Sequence, residues 1–411
     1  MSGIRSAIFV IAVGLGATAG MALAQSPAGF TSKPDPKKQP NPAPIAFFIA
    51  KGEPDACGAR CSEWIAADGM IDARAARRLR VLLERLGKRK LPIYFHSPGG
   101  SVEGAIEIGR LMRARQMTAG VARTIPQGCD RLRDRESACD ALKRSGRELP
   151  AELRTVRTLC NSSCVYALVG AARREVAAGA QLGVHAAVVV AYHRNGGAPA
   201  AKAPAHLTAA ALARANERIE RYLASMGIDR ALFRTASEVS HERVRYLTRD
   251  EIARFGIDRR DFHETRWMTE QGPSGASIVV KFAAAARAVE PKQYRVMQLL
   301  LACGRTGFIT AGFARDLDPA DRLASAALAA SGSEVMLSPG RAQPTVRPNG
   351  VEMEIWVAAA PRAFFDRVAL GDTIEIVETP ATALANAPPR RVKLSTAGLA
   401  SSVDALAQHC R

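Results

Sequence analysis

Short apolar runs alternate along the first half of the chain with segments in which apolar residues recur every three or four positions. The runs at 45–50, 91–95 and 117–122 have the length and composition of buried strands. The segments 72–86 and 101–115 have the apolar periodicity of helices that pack against a core. Because strands that alternate with helices tend to pair side by side, this pattern predicts an α/β layer with parallel strands.

The pattern changes in the second half of the chain. A long helix is predicted over 208–226, and Thr248 can act as the N-cap of a shorter one that follows it. Gly, Pro and Ser then cluster, and beyond them short apolar runs are separated by Pro, Gly and Asn. We therefore predict an α/β domain over 45–265 and a small β-rich C-terminal domain over 274–411.

The N-terminus has the pattern of a secretory signal peptide at 1–24, in which Arg5 precedes an apolar run and Ala22-Leu23-Ala24 forms the cleavage site. The alternative is an uncleaved anchor, and no later run is apolar enough to span a bilayer. A Pro-rich linker at 25–44 follows, with five prolines between positions 34 and 44. We expect a periplasmic or secreted protein that is not transmembrane after cleavage.

The eight cysteines favour disulfides, because an even number in an exported chain is typical of oxidised pairs. Their spacing predicts three local pairs and one pair that closes the C-terminal region: Cys57 with Cys61, Cys129 with Cys139, Cys160 with Cys164, and Cys303 with Cys410. Zinc is the alternative, since C-x3-C occurs twice, but the scattered histidines supply no second pair of ligands. We expect no metal and no cofactor.

Lysine and arginine number 57 against 39 acidic residues, which gives a formal net charge of +18. Such a balance can indicate a nucleic-acid or anionic partner. However, the basic residues are interleaved with acidic ones, and aromatic residues make up only 5% of the chain. We therefore expect no nucleic-acid partner and a solvated basic surface, with loose attraction to anionic lipid as the alternative.

A densely charged segment at 127–156 interrupts the α/β rhythm and contains Cys129 and Cys139. We predict a surface insertion stapled by a disulfide, rather than a core element. It lies directly before the strand that leads to Ser162, so it is placed to restrict access to a site there.

Three separate segments carry groups suited to acyl transfer. Ser97-Pro98-Gly99-Gly100-Ser101 follows a strand and opens a helix, so the amides of Gly99 and Gly100 can bind a developing oxyanion. Ser162 and Ser163 lie at the mouth of an apolar helix, as a nucleophile would, although a helix cap is the simpler interpretation of either serine. His185 is the first histidine downstream of both and can act as the base.

In order and spacing these segments resemble the Clp protease proteolytic-subunit/crotonase (ClpP/crotonase) superfamily, where a Gly-Gly turn, a serine and a histidine follow in that order. Here 23 positions separate Ser162 from His185. The segment 246–258 is similar to the family's F-L-S-x-x-E-A-x-x-x-G-L-V-D ending. The likeness spans roughly 45–258 and is greatest to exported bacterial members with C-x-S-x-C around the serine.

This resemblance implies an α/β fold with a ββα spiral core and a site with catalytic and oxyanion groups: Ser162, His185 and Glu238, with Gly99, Gly100 and Ser163. Ser162 would be the nucleophile, with Ser163 either supplying the second oxyanion amide or acting as the nucleophile itself. The family aspartate is absent near 236–237, so Glu238 is the nearest carboxylate that can orient His185. A Ser–His dyad without a carboxylate is the alternative.

Two functions compete at this point. The first is an exported serine peptidase that acts on a peptide or protein substrate by Ser–His acyl transfer. The second is a catalytically silent scaffold or binding protein of the cell envelope, which the missing aspartate favours. An acyl-CoA enzyme of the crotonase type ranks third, because coenzyme A chemistry is not expected outside the cytoplasm. Relatives assemble into rings, so the resemblance also implies a homo-oligomer.

Overall fold

The structure is a computed structural model that describes residues 30–32, 43–130, 137–188, 205–271, 275–287, 293–340, 345–381 and 388–410. The predicted signal peptide at 1–24 and most of the predicted linker at 25–44 lie outside the described residues. The chain divides into two compact units, one formed by 30–176 with 180–259, the other by 177–179 with the residues from 260 onward.

The first unit is a mixed α/β structure. Its strands are β1 (Phe30–Ser32), β2 (Ala46–Lys51), β3 (Glu63–Asp68), β4 (Ile93–His96), β5 (Thr118–Val121), β6 (Arg123–Pro126), β7 (Leu149–Arg154), β8 (Leu159–Asn161), β9 (Arg173–Glu175), β10 (Gln181–Val184) and β11 (Arg243–Tyr246). Its helices are α1 (Ala75–Leu86), α2 (Val102–Ala114), α3 (Ser137–Lys143), α4 (Ser163–Val169), α5 (Ala205–Ser225), α6 (Ala231–Ser237) and α7 (Arg249–Arg254).

A seven-stranded sheet forms the centre of this unit, in the order β6-β7-β2-β3-β4-β5-β9. Strands β3, β4, β5 and β9 are parallel, which confirms the predicted parallel layer. Helix α1 buries the apolar face that its sequence predicts, including Leu79 and Leu83. Helix α2 begins after Ser101, whose side chain accepts a hydrogen bond from the Gly104 amide, as an N-cap does.

A second, four-stranded sheet has the order β1-β11-β10-β8, and its strands β8 and β10 are parallel. The two sheets meet at Ser97, directly after β4. Its amide donates to the Leu159 carbonyl at 3.0 Å, and its carbonyl accepts from the Asn161 amide at 3.0 Å. The end of β4 therefore lies against β8, and the loops that follow these two strands are neighbours.

Two segments differ from the sequence predictions. Within the predicted linker, β1 pairs antiparallel with β11, Thr31 opposite Val244. Within the predicted surface insertion at 127–156, β7 joins the central sheet beside β2. Leu149 is buried there in an apolar cluster that Leu153 also contacts, so alternate residues of a charged segment complete the core on this face.

The second unit is β-rich, as predicted. Its strands are β12 (Phe262–Glu264), β13 (Met268–Gln271), β14 (Ser277–Ala286), β15 (Tyr294–Cys303), β16 (Phe308–Asp316), β17 (Leu323–Ala330), β18 (Ser333–Pro339), β19 (Thr345–Val346), β20 (Glu352–Pro361), β21 (Thr373–Pro380) and β22 (Arg390–Ser395). Its helices are α8 (Arg362–Val368) and α9 (Leu399–Ala407), with a 3-10 turn at Pro319–Asp321. The strands form one sheet whose main order is β12-β14-β15-β16-β20-β18-β17-β21-β22.

Four disulfides join Cys57 to Cys61, Cys129 to Cys139, Cys160 to Cys164 and Cys303 to Cys410, which are the four pairs that the sequence predicts. Oxidised pairs of this kind are compatible with an exported protein. Among the helices in the described ranges, none combines the length and the apolar character that crossing a membrane requires.

Candidate active site at Ser162

Ser162 occupies the turn between β8 and α4, with φ 57° and ψ −126°. A positive φ is rare for a residue with a side chain and is a form of backbone strain that is typical of functional sites. The Ser162 amide donates to the Gly183 carbonyl at 2.7 Å, which anchors the turn to β10. The half-buried hydroxyl makes no capping bond and no other hydrogen bond to any residue that the structure describes.

Ser163 is less accessible than Ser162. It is the first residue of α4 and is completely buried. Its hydroxyl has no hydrogen-bond partner among the described residues. A substrate can therefore reach the Ser162 hydroxyl more readily than the Ser163 hydroxyl.

The Gly99–Gly100 turn packs directly against Ser162. A Cβ atom at Gly99 would lie 2.7 Å from the Ser162 Cβ and 3.3 Å from its Oγ, so only glycine allows this approach. The Gly99 amide donates to the Ser97 Oγ at 3.1 Å and is therefore occupied. In contrast, the amides of Gly100 and Ser163 donate to no acceptor within the described part of the chain.

His185 follows β10 directly, just as Ser162 follows β8. The two strands are parallel neighbours, with Gly183 opposite Asn161, so both residues lie at the same edge of the sheet. His185 is buried, with 9% of its surface exposed. Its Nδ1 lies 2.8 Å from the Ala186 carbonyl oxygen. Because a carbonyl can only accept, Nδ1 carries the proton in this contact.

The structure does not bring Glu238 onto the imidazole. Glu238 is exposed at the end of α6, and its carboxylate makes no hydrogen bond or ion pair with any described residue, His185 included. Val239, which follows Glu238, does contact the segment around His185. Its carbonyl accepts a hydrogen bond from the Ala186 amide at 2.8 Å. The main chain thus fixes the segment that carries His185.

Residues that the sequence interpretation did not single out complete the surroundings of Ser162. A Cβ at Gly183 would lie 2.5 Å from the Asn161 Oδ1, so this glycine makes room for the Asn161 side chain. That Oδ1 is buried and has no partner among the described residues. In the sequence, Gly183 lies two positions before His185, and this glycine was the available signal for the close approach. Nothing in the sequence indicates that the Ala186 carbonyl contacts His185.

Helix α4 is rigidly held behind Ser162. All of its residues are buried. Burial raises the pKa of the Tyr166 hydroxyl to about 12, so this group is neutral at physiological pH. The Tyr166 carbonyl accepts a hydrogen bond from the Tyr222 hydroxyl at 2.9 Å, which ties α4 to α5.

The segment 127–156 reaches the edge of the sheet on which these loops lie. Lys143, at the end of α3, forms an ion pair with Asp68 at 2.5 Å, and both side chains are almost fully buried. Asp68 is the last residue of β3 and pairs in register with His96, which directly precedes Ser97. The part of the chain described here contains no group of three or more His, Cys, Asp or Glu placed to hold a metal ion.

No family model matches the chain, and no curated protein matches it. Among solved structures, the invasion associated protein B of Bartonella henselae is 12% identical; the match covers 36% of this chain and 94% of that chain, with a TM-score of 0.25. A mutant of ClpP1 from Listeria monocytogenes is 14% identical over 51% of this chain and 88% of that chain, with a TM-score of 0.29. Scores this low carry no argument about function.

Proposed function

We propose that this protein is an exported serine peptidase with a ClpP/crotonase-like core, acting on a peptide or protein substrate. Ser162 is the nucleophile and His185 is the general base. The amides of Gly100 and Ser163 form the oxyanion hole, with Gly99 as the residue that lets the turn approach Ser162. Export is supported by the four disulfides together with the signal-peptide pattern at 1–24.

The backbone of Ser162 is the single observation that carries this proposal. A serine with φ 57° between a strand and a helix is held in strain, and its half-buried hydroxyl does not cap the helix. Strand–turn–helix serines of this kind act as nucleophiles in unrelated hydrolases. A helix cap needs no such strain, which argues against the simpler interpretation.

The proposed mechanism uses the His185 ring as the general base. Its Nε2 takes the Ser162 proton as the oxygen attacks the carbonyl carbon, and the imidazolium then returns a proton to the leaving amine. Negative charge on the former carbonyl oxygen is stabilised by the amides of Gly100 and Ser163, which donate to no acceptor in the described ranges. The Ala186 carbonyl accepts a hydrogen bond from Nδ1–H throughout, in the position that an aspartate takes in a triad.

Covalent labelling tests this proposal more sensitively than turnover. A carbonyl lacks the full charge of an aspartate, so we expect slow turnover, whereas a fluorophosphonate needs only one attack by serine. We expect the wild-type chain to be labelled and Ser162→Ala to lose at least about 99% of the signal. Ser163→Ala is the matched control and should keep its label, because it keeps the backbone amide and removes a buried hydroxyl that has no partner among the described residues.

A thermal melt of each variant separates lost chemistry from lost folding. Equal labelling of the wild type and Ser162→Ala would contradict the assignment of the nucleophile. Loss of label in Ser163→Ala alone, with Ser162→Ala still labelled, would transfer the assignment to Ser163.

The second candidate function is a silent scaffold or binding protein of the cell envelope. The exposed position of Glu238, without contact to His185, favours it, because no carboxylate from that residue supports the base. This alternative predicts a wild-type protein that no fluorophosphonate labels, and that co-purifies with an envelope partner. Self-association into a homo-oligomer is compatible with either function.

A further inference from the structure

Three unfavourable features occur at consecutive residues around the nucleophile. Ser162 has a strained backbone with φ 57°. On either side of it, the Asn161 Oδ1 and the Ser163 Oγ are buried without a hydrogen-bond partner among the described residues. Each of these features destabilises the folded state, and a free chain segment would relax to relieve them.

The Cys160–Cys164 disulfide closes a ring around these three residues and no others. It joins β8 to the first turn of α4, across a Cα–Cα distance of 5.2 Å, with Ser162 as the middle residue of the ring. Both cysteines are completely buried. A covalent link of this kind limits how far the enclosed backbone can move, in the folded state as well as in the unfolded one.

We propose that Cys160–Cys164 is a positioning disulfide, which holds Ser162 at the backbone angle that turns its hydroxyl toward Gly99. Its catalytic consequence rests on the proposed hydrolase function, but its structural consequence does not. Without the bond, the segment relaxes, Ser162 loses its positive φ, and its hydroxyl moves away from Gly99.

The chain supplies a matched control in the Cys57–Cys61 disulfide. It has the same spacing, a similar Cα–Cα distance of 5.0 Å, and it also encloses a residue at positive φ, Arg60 at 59°. It lies before β3, at the end of that strand opposite to Asp68. Removal of either disulfide deletes one short loop closure, but only one of the two loops contains Ser162.

The first measurement is the kinetics of fluorophosphonate labelling in the full chain. In Cys160→Ala/Cys164→Ala we expect the maximal labelling rate to fall about 100-fold, with little change in the probe concentration for half-maximal rate. Cys57→Ala/Cys61→Ala should stay within about 2-fold of wild type. Should the first variant fail to fold, Cys160→Val/Cys164→Ala restores buried volume. A labelling rate that equals wild type in the folded disulfide-free variant would overturn the proposal.

The second measurement needs no catalysis. Glycine adopts a positive φ without strain, so Ser162→Gly should raise the thermal midpoint of the wild-type background by about 2–4 °C. In the disulfide-free background, where Ser162 has already relaxed, we expect a change below about 1 °C. Equal gains in both backgrounds would overturn the positioning role. If the fluorophosphonate does not label the wild type at all, the hydrolase proposal fails. The comparison of Ser162→Gly in the two backgrounds then decides the role of the disulfide by itself.

Discussion

Gly99 meets two separate requirements of the candidate site. Its φ of 99° is one that residues with a side chain rarely adopt. Its α-carbon also faces Ser162 so closely that a Cβ would lie 2.6 Å from the Asn161 carbonyl oxygen and 2.7 Å from the Ser162 Cβ. The first requirement concerns the backbone of Gly99 itself, whereas the second concerns the position of the nucleophile.

We predict that Gly99→Ala reduces activity mainly by displacing Ser162, in addition to straining the backbone of residue 99. The added methyl pushes Ser162 away from the turn, and a displacement of about 1 Å is enough to reduce the labelling rate about 100-fold. We also expect a loss of about 2 kcal/mol in the free energy of unfolding, from backbone strain and overpacking together. Fluorophosphonate labelling and urea denaturation measure the two effects.

Gly128→Ala is the control for the strain alone. Gly128 has a similar φ of 88°, but a Cβ there would meet no atom within 4 Å. We expect this variant to lose about 1 kcal/mol of stability and to keep its labelling rate. If the two variants label equally well, contact with Gly99 does not position Ser162.

The residue types of the candidate site were readable from the sequence, but their hydrogen bonds were not. Glycines, a serine at a helix start and a downstream histidine are visible as letters. The sequence does not show that the Gly99 amide donates to Ser97, while the Gly100 amide has no acceptor among the residues that the structure describes. Nor does it show the Ala186 carbonyl beside His185, because every residue has a carbonyl and only the fold selects one.

At the scale of elements, three helices meet at one point without space for a side chain. Gly109 of α2 lies against Gly170, which follows α4, and a Cβ at Gly109 would lie 1.8 Å from the Tyr222 hydroxyl oxygen of α5. That hydroxyl is buried and donates to the Tyr166 carbonyl at 2.9 Å. Burial raises the pKa of Tyr222 well above its usual value, so the group remains a donor across the physiological range.

We predict that Gly109→Ala destabilises the first unit. Alanine in a helix is favoured over glycine by about 1 kcal/mol, but overpacking against a fixed hydroxyl costs about 1–3 kcal/mol, and the lost hydrogen bond adds about 1 kcal/mol. The expected net loss is about 2 kcal/mol in the free energy of unfolding, measured by urea denaturation.

Tyr222→Phe provides the decisive comparison for this contact. Alone it removes one buried hydrogen bond and should cost about 1 kcal/mol. Combined with Gly109→Ala, it removes the atom that the new methyl would strike, so the double variant should be more stable than Gly109→Ala alone. A double variant whose loss equals the sum of the two single losses would show that the hydroxyl is not the obstacle.

Apolar periodicity predicted the helices and strands of the α/β layer. It did not predict strands that form only because they pair with a neighbouring strand. Helix α7 begins at Arg249, as predicted, since its cap Thr248 and the Glu251 side chain form a local capping box. In contrast, β7 combines buried Leu149 with charged neighbours, and only pairing with β2 makes it a core strand. Likewise β1 is a strand because β11 offers an edge.

At the scale of the whole molecule, part of the large positive charge lies inside the second unit, where acidic residues compensate it. Four arginines and four acidic residues form one partly buried cluster there: Arg287, Arg295, Arg315 and Arg390, with Asp318, Asp321, Glu354 and Glu378. Arg315 and Glu378 are completely buried and lie 3.4 Å apart. Charges buried to this extent remain stable only while each keeps its partners.

Asp321 is the acidic residue that most of these arginines share. Arg390 donates to both of its carboxylate oxygens, at 2.9 and 3.0 Å, and Arg295 donates to one of them. Burial by itself raises the pKa of Asp321, but the hydrogen bond from Arg390 and the nearby positive charges outweigh burial and hold that pKa below its usual value. A carboxylate with a lowered pKa stabilises the fold above the unfolded value of about 3.9, and this contribution is lost as the pH falls through the folded value.

We therefore predict that Asp321→Asn costs about 3 kcal/mol in the free energy of unfolding at pH 7, because it leaves buried guanidinium groups without their anion. Near pH 3, which is below the unfolded value of about 3.9, the deficit should shrink, because the unfolded carboxyl then binds a proton more readily than the folded one and the wild type loses part of this contribution. Calorimetric unfolding of the full chain at both pH values measures the difference. Asp366→Asn, which removes an exposed partner of Arg362 at 3.5 Å, is the control and should change stability by less than about 0.5 kcal/mol. An Asp321→Asn deficit of the same size at both pH values would mean that Asp321 stabilises this unit by packing rather than by charge.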